Sequence, residues 1–299
     1  MPHLLNLADD LFEMICDAVQ TRAFSHTCRR TWRLLQRRHT KYKIDPNDAE
    51  AVVVALVSRN AKVHTLCLNA DGDQHKGIGM LPAGVEALGL LLKTAPSLHT
   101  LILKLCNYQC TPKVDDAQAR IFASLKDAPC LRELSLELNG NDIGDCGTQT
   151  IANSLKEAPF LTSLYLDLRN NHISDMGAIA IGSLKDAPSL RSLKLNLYNN
   201  KLGNGGAIGL AALKDAPLLE TLEFELHMNM IMDPGALAMC SLIQAPALRR
   251  LKINLCLNHV GHTGALALIA MRDEMLGGWK GVSVGSSEDD KSRRPEILI

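Results

Sequence analysis

Residues 161 to 173 run Leu-Thr-Ser-Leu-Tyr-Leu-Asp-Leu-Arg-Asn-Asn-His-Ile. The same spacing returns 29 residues later, from Leu190 to Leu202, and again from Leu219 to Ile231. Alternate residues inside each copy are apolar: Leu164, Leu166 and Leu168, then Leu193, Leu195 and Leu197, then Leu222, Phe224 and Leu226. A period of two belongs to a strand with one buried face. An asparagine follows each run, at 141, 171, 200, 229 and 258. A buried polar side chain has to be hydrogen-bonded, and the backbone of adjacent copies offers the partners. The spacing therefore predicts an asparagine ladder.

Outward from that stretch, Ala-Pro occurs at 95–96, 128–129, 158–159, 187–188, 216–217 and 245–246. Gly147, Gly177, Gly206, Gly235 and Gly264 recur near the start of each second half. That half reads GAxAIxxLKDA, as from Gly177 to Ala187, with apolar residues at helical spacing and strong helix formers. The residue before proline avoids the helical region, so each helix is expected to stop there. Lys126, Lys156, Lys185 and Lys214 fall in the last turn, where a cation suits the helix dipole. Each unit is thus strand, turn, helix and return. Self-similarity at this period predicts an α/β solenoid.

Units at the ends are degenerate, as terminal repeats facing water must be. Val63, Leu66 and Leu68 predict a first strand, and Leu81 to Leu92 its helix. Leu98, Leu101, Leu103 and Leu105 predict a second, with Tyr108 in the asparagine's place. Trp279 to Val284 is the candidate final strand. The expected organisation is a helical segment at 1–45, seven to eight repeats over 46–284, and a polar, mostly disordered tail at 285–299.

The pattern LxxLxLxLxxNx(I/L/V) resembles the leucine-rich repeat family, in the long, helix-bearing type seen in ribonuclease inhibitor. The resemblance covers roughly residues 50 to 285. It implies a curved horseshoe with parallel strands on the concave face and helices on the convex face. It also implies a protein ligand on the concave face. The chain departs from the usual LxxLxLxxNxL by two additional residues before the asparagine, which predicts a longer strand or strand exit.

Residues alternating with the buried leucines form columns on the concave face. One column is Ile102, Ser135, Tyr165, Lys194, Glu223 and Lys252. The next is Lys104, Glu137, Asp167, Asn196, Glu225 and Asn254. A third is Cys106, Asn139, Arg169, Tyr198, His227 and Cys256. Opposite charges such as Lys194, Glu223 and Lys252 would neutralise one another sideways. The alternative is a mixed-charge binding face with Tyr165 and Tyr198 as anchors, since tyrosine is enriched at interface hot spots. The candidate partner-binding set is Tyr165, Asp167, Arg169, Lys194, Tyr198, Glu223, Glu225, His227, Arg250 and Lys252. The acids Glu133, Glu137, Asp167, Glu223 and Glu225 would repel phosphate, so nucleic acid is not the expected ligand.

The first 45 residues stand outside the repeat. Leu7, Leu11, Ile15 and Val19 have helical spacing, and a second helical stretch runs from Ala23 to Gln36. Leu7, Asp10, Leu11, Ile15, Cys28, Arg29, Trp32 and Leu35 resemble the F-box pattern LPxELLxxI…VCRxWRxL. Ala8 stands where that pattern has proline, and the segment between Leu7 and Cys28 is about three residues short. The resemblance implies docking on a Skp-type adaptor of a cullin ubiquitin ligase through Leu7, Leu11, Ile15, Cys28, Trp32 and Leu35. The other reading is a plain helical cap over the first coil.

Composition narrows the remaining classes. The formal charge is zero, from 32 basic and 32 acidic residues, but residues 22 to 43 hold eight Lys/Arg and no acid. A solvated helix face is a commoner reading of such a basic stretch than a nucleic-acid surface. Nine cysteines without a CxxC pair fit neither a disulfide framework nor a zinc ribbon, so reduced thiols in a cytoplasmic or nuclear protein are expected. No apolar stretch approaches the ~18 to 20 residues of a membrane span. His259 and His262 lie in a turn with no further ligand near in sequence, and no phosphate-loop, dinucleotide or nucleophile-elbow motif occurs. Ile297-Leu298-Ile299 is the kind of apolar terminus that enters a strand-adding groove. The expectation is a non-enzymatic interaction protein without metal or cofactor, monomeric outside a complex.

Overall fold

The computed structural model describes residues 39–43, 63–69, 97–106, 113–278 and 296–298. Nine strands form one sheet in chain order: β1 His39–Lys43, β2 Thr65–Asn69, β3 Thr100–Lys104, β4 Glu133–Glu137, β5 Ser163–Asp167, β6 Ser192–Asn196, β7 Thr221–Glu225, β8 Arg250–Asn254 and β9 Glu296–Leu298. Every pairing is parallel. Register follows the repeat, so that Leu164 lies beside Leu193, and Leu193 beside Leu222. The leucines of β2 to β8 pack inward into one continuous core. Helical segments return the chain over the other side of that core. Among the described residues they are a 3₁₀ helix at Gln118–Asp127, then α1 Asp145–Glu157, α2 Asp175–Gly182, α3 Asn204–Ala211, α4 Asp233–Met239 and α5 His262–Gly278.

Two expectations are modified. The strand β1 lies inside 1–45, expected to be a helical segment outside the repeat, so the sheet begins before residue 46. The tail, expected to be mostly disordered, supplies the three-residue strand β9, which pairs with β8. Trp279 to Val284, the candidate final strand, lies outside the described residues, as do the Leu81 to Leu92 helix and Tyr108. The helical halves stop at the alanine before each proline, as expected, but only α1 is α-helical right up to it. After α2, α3 and α4 the chain tightens into 3₁₀ turns at Ser183–Asp186, Ala212–Asp215 and Cys240–Gln244. The alanines that follow, Ala187, Ala216 and Ala245, are extended, as the next proline requires.

The asparagine ladder is present. Asn171 Nδ2 donates to the carbonyls of Leu138, one coil back, and Leu168, in its own coil, both at 3.0 Å. Its Oδ1 accepts from the Ile143 amide at 3.0 Å. Asn141, Asn200, Asn229 and Asn258 repeat the arrangement. The two additional residues per unit prolong the parallel pairing beyond the strand. Leu138 N–H donates to Asp167 O, and Gly140 N–H to Arg169 O. The chain then turns through a left-handed residue at Gly140, Asn170, Asn199, Met228 and Leu257.

A second ladder carries no sequence expectation. Asp116 Oδ1 accepts from the amides of Gly144 and Gly147 in the next coil, at 2.7 and 2.9 Å. Asp145 does the same for Ser174 and Gly177, and also accepts from Ser174 Oγ. Asn204 Oδ1 receives Met232 and Gly235, while Asp175 and Asp233 receive Gly203 and Gly261. Each coil thus caps the exposed amides of the next coil's helix. This explains the periodic glycines. A Cβ at Gly147 or Gly177 would fall within 2.6 to 2.8 Å of the capping carboxylate.

Candidate protein-binding face

On the sheet's outer side, the first two predicted columns hold. Ser135, Tyr165, Lys194, Glu223 and Lys252 are register neighbours, as are Glu137, Asp167, Asn196, Glu225 and Asn254. Parallel neighbours stand about 4.8 Å apart, so unlike charges meet. Lys194 Nζ lies 3.2 Å from Glu223, whose other oxygen is 3.5 Å from Arg250 Nε. Lys252 reaches Glu225 at 3.3 Å, and Lys104 reaches Glu137 at 2.6 Å. Half-exposed pairs of this kind are worth ~0 to 1 kcal/mol each. Sideways neutralisation is therefore real, and it leaves the tyrosines as the distinctive groups.

Two clusters stand out. The first is Tyr165, Asp167 and Arg169. Asp167 is only 1% exposed, which corrects its expected place as an accessible contact residue. Its Oδ2 lies 3.2 Å from Arg169 Nε and 3.5 Å from the Tyr165 hydroxyl, and its Oδ1 accepts the Arg169 amide. Burial pushes the Asp167 carboxyl above its ordinary range, although Arg169 pulls it back. Burial and the Asp167 charge push the Tyr165 phenol up to about 12, so it stays a neutral donor. The second cluster is Tyr198 stacked on His227, with ring centroids 4.2 Å apart and planes 26° apart. Glu225 holds that imidazole at 3.6 Å and also accepts from Asn254 Nδ2 at 2.7 Å. The ring pair is half-exposed, forming a flat platform.

The third column is less uniform than expected. Asn139 is fully buried, its Nδ2 turned to Cys106 Sγ, and so it offers nothing to a ligand. Sequence reasoning also missed a rim beside the Tyr198–His227 platform. Met228, Met230, Met232 and Leu257 are 41 to 73% exposed. The matching positions in earlier coils are Asn170, His172, Ser174, Asn199, Lys201 and Gly203. Met228 and Leu257 hold left-handed backbone, which costs a residue with a Cβ ~1 kcal/mol. The signal was present as a change of polarity at fixed repeat positions. The proposed adaptor-binding residues Leu7, Leu11, Ile15, Cys28, Trp32 and Leu35 lie outside the described residues.

One comparison with known proteins shows the repeat. The family model described as Leucine Rich repeat matches residues 129–152 and 161–182. No curated protein matches the chain. Among solved structures, it is similar to an internalin (inlF) from Listeria monocytogenes str. 4b F2365, at 18% identity and TM-score 0.39. That match covers 73% of this chain and 62% of the internalin chain, so this chain spans less than two thirds of it. Another similar structure is that of the Rad7 and Elc1 complex in yeast, at 12% identity and TM-score 0.32, covering 89% of this chain and 76% of that one. The chain carries leucine-rich repeats, and its fold is an α/β leucine-rich repeat solenoid. Such a fold is typically a non-enzymatic scaffold for protein–protein interaction. Among the described residues, no helix is long and apolar enough to cross a membrane.

Proposed function

We propose that the chain is a substrate-recognition subunit of a cullin-type ubiquitin ligase, holding a protein ligand on its concave face. The observation that carries the binding half is the pair of half-exposed aromatic clusters, Tyr165 with Asp167 and Tyr198 with His227, on an otherwise charge-paired sheet. Tyrosine and a stacked imidazole supply rigid contact area at low entropic cost, as at interface hot spots. Support for the ligase half is the F-box-like set Leu7, Leu11, Ile15, Cys28, Trp32 and Leu35 ahead of the solenoid.

Because β1 begins at His39, a deletion has to stop at residue 38 to leave the sheet intact. Full-length protein should co-purify with a Skp-type adaptor, and Leu11→Asp with Trp32→Ala should abolish recovery. If full-length and deleted proteins recover the adaptor equally poorly, the ligase reading is wrong. Separately, Tyr165→Ala with Tyr198→Ala should weaken capture of a ligand found by pull-down at least tenfold, leaving circular dichroism unchanged. An unchanged affinity would move the binding site off these clusters.

One observation favours a second reading, a scaffold, inhibitor or GTPase regulator whose N-terminal segment only caps the solenoid. The chain upstream of residue 39 enters the solenoid through its edge strand β1, where a first coil needs cover. On that reading the deletion lowers the melting temperature sharply and leaves the partner list unchanged.

A further inference from the structure

The chain leaves β7 through His227-Met228-Asn229-Met230-Ile231-Met232. Burial alternates along this exit. Asn229 and Ile231 are buried, while Met228, Met230 and Met232 point outward, the last two 48 and 50% exposed. Three thioethers therefore line one side of an extended segment. At the positions of Met230 and Met232 the coil before has Lys201 and Gly203, and the coil after has His259 and Gly261. The His259 amide donates to the Ile231 carbonyl at 2.8 Å, which sets His259 in parallel register with Met232. The exposed His259 thus stands beside Met232 and diagonal to Met230. In sequence, His259 and His262 have no further ligand near them, but the preceding coil brings two thioethers alongside.

We infer that Met230, Met232 and His259 form a binding site for a soft monovalent metal ion, copper(I) by its chemistry. Paired extended segments stand about 4.8 Å apart, and alternate residues along one of them about 6.6 Å apart. A methionine side chain has three rotatable bonds, so both sulfurs can turn to one ion beside the imidazole. Thioethers are soft donors that favour copper(I), imidazole suits copper as well, and carboxylates and water suit harder ions. Among the described residues, no three His, Cys, Asp or Glu side chains are grouped to hold a metal ion, so here the thioethers decide which ion fits.

Charge around the site selects the same ion. Lys201 takes the place of Met230 one coil back, and its ammonium opposes a dication about twice as strongly as a monocation. Asp233 follows Met232 and keeps a carboxylate at the turn, where its Oδ1 accepts the Gly261 amide at 2.6 Å. Two neighbours fit less well as ligands. Met228 holds left-handed backbone and pairs through its amide with the Cys256 carbonyl, on the strand side of the turn. His262 opens α5, where the positive end of the helix dipole disfavours a bound cation.

Silver(I) is a redox-inert probe for such a site. It is titrated into the full chain carrying carbon-13 methionine methyl groups, with accessible thiols blocked as methyl disulfides so that cysteine does not compete. The Met230 and Met232 methyl resonances, assigned by single Met→Leu variants, should shift and saturate together, and that of Met228 should stay in place. Loss of an outer-shell partner alone costs a metal site roughly tenfold or more in affinity. Met230→Leu with Met232→Leu removes two ligands while keeping side-chain volume, so it should weaken silver(I) binding by more than that. His259→Ala should weaken it severalfold. Copper(I), supplied without oxygen against a chromogenic chelator, should rank the native chain and the double variant in the same order. Native resonances that stay put under excess silver(I) overturn the inference, as does a double variant that binds as tightly as the native chain. Zinc(II) should move neither resonance, and equal shifts with zinc(II) would overturn the choice of a soft ion.

Discussion

Two ladders of side chains run along the coils between Asp116 and Asn258, and they differ in one atom. The inner rung at 141, 171, 200, 229 and 258 is always an amide, whereas the outer rung at 116, 145, 175, 204 and 233 is a carboxylate four times in five. Both reach from one coil to the next with the same period. The inner rung must donate to two carbonyls and accept from one amide, as Asn171 does. Only an amide side chain can do both. The outer rung only accepts, because its partners are the free amides at a helix start. A carboxylate does that well and suits the positive end of the helix dipole. Asn204 fits the same place because its Oδ1 alone is used. What each position must give or take, together with its burial, decides the residue.

Exchanging the two chemistries is the strongest way to break this comparison. Asn171→Asp would set a carboxylate against the Leu138 and Leu168 carbonyls and remove both donors. A buried group left unpaired costs ~1 to 3 kcal/mol, and an uncompensated buried charge ~3 to 5 kcal/mol. Denaturant unfolding should show a loss of about 4 kcal/mol. The opposite exchange in the outer ladder, Asp175→Asn, should stay within about 0.5 kcal/mol, as a surface substitution that keeps its acceptor does. Equal losses in the two variants would show that the ladders are not chemically distinct.

Removal of an outer rung comes next in size. Asp145→Ala strips an acceptor from the amides of Ser174 and Gly177 and from the Ser174 hydroxyl. Loss of a helix cap costs ~0.5 to 2 kcal/mol, and this cap serves two amides, so about 1.5 kcal/mol is expected. Hydrogen exchange should quicken at the start of α2 in the following coil and leave α1 itself protected. Faster exchange in α1 instead would mean that the carboxylate supports its own helix.

The inner ladder was legible in the sequence and the outer was not, for a physical reason. The asparagine follows a run of alternating leucines, so its burial can be inferred from its neighbours. Asp145, Asp175 and Asp233 stand two residues before a periodic glycine, yet an exposed-looking acid at a helix start is ordinary. Nothing local says that its acceptor serves another coil. The strands and columns were legible because a period of two fixes which side chains face outward. The buried state of Asp167 and Asn139 was not, because it depends on the side chains packed around them, among them Tyr165, Arg169 and Cys106. The edge strand β1 was hidden for a related cause. His39-Thr-Lys-Tyr-Lys has no leucine alternation, and its pairing to Thr65–Asn69 is what makes it a strand.

Asp167 offers the finest test, because it is a buried carboxylate that belongs to neither ladder. It receives the Arg169 amide and side chain and a long contact from Tyr165, fewer donors than its burial demands. Burial therefore outweighs Arg169 and raises its pKa above the ordinary 3.8. The consequence for stability has a definite sign. Below pH 3.8 the carboxyl is protonated in both folded and unfolded chains, and ionisation contributes nothing. As the pH rises, the unfolded chain gives up its proton first, so native stability falls until the folded carboxyl has ionised too. Above that point the loss is constant. An amide at this position cannot ionise, so Asp167→Asn should gain on the native chain as pH rises from 3.8 to neutrality, and the gain should vanish on return to acid. The effect is small because Arg169 offsets part of the desolvation. Urea midpoints measured across that pH range would read it. A native chain that instead gained on the variant with rising pH would mean that the Arg169 pair outweighs burial, and that this carboxylate, like the outer ladder's, is held by donors enough.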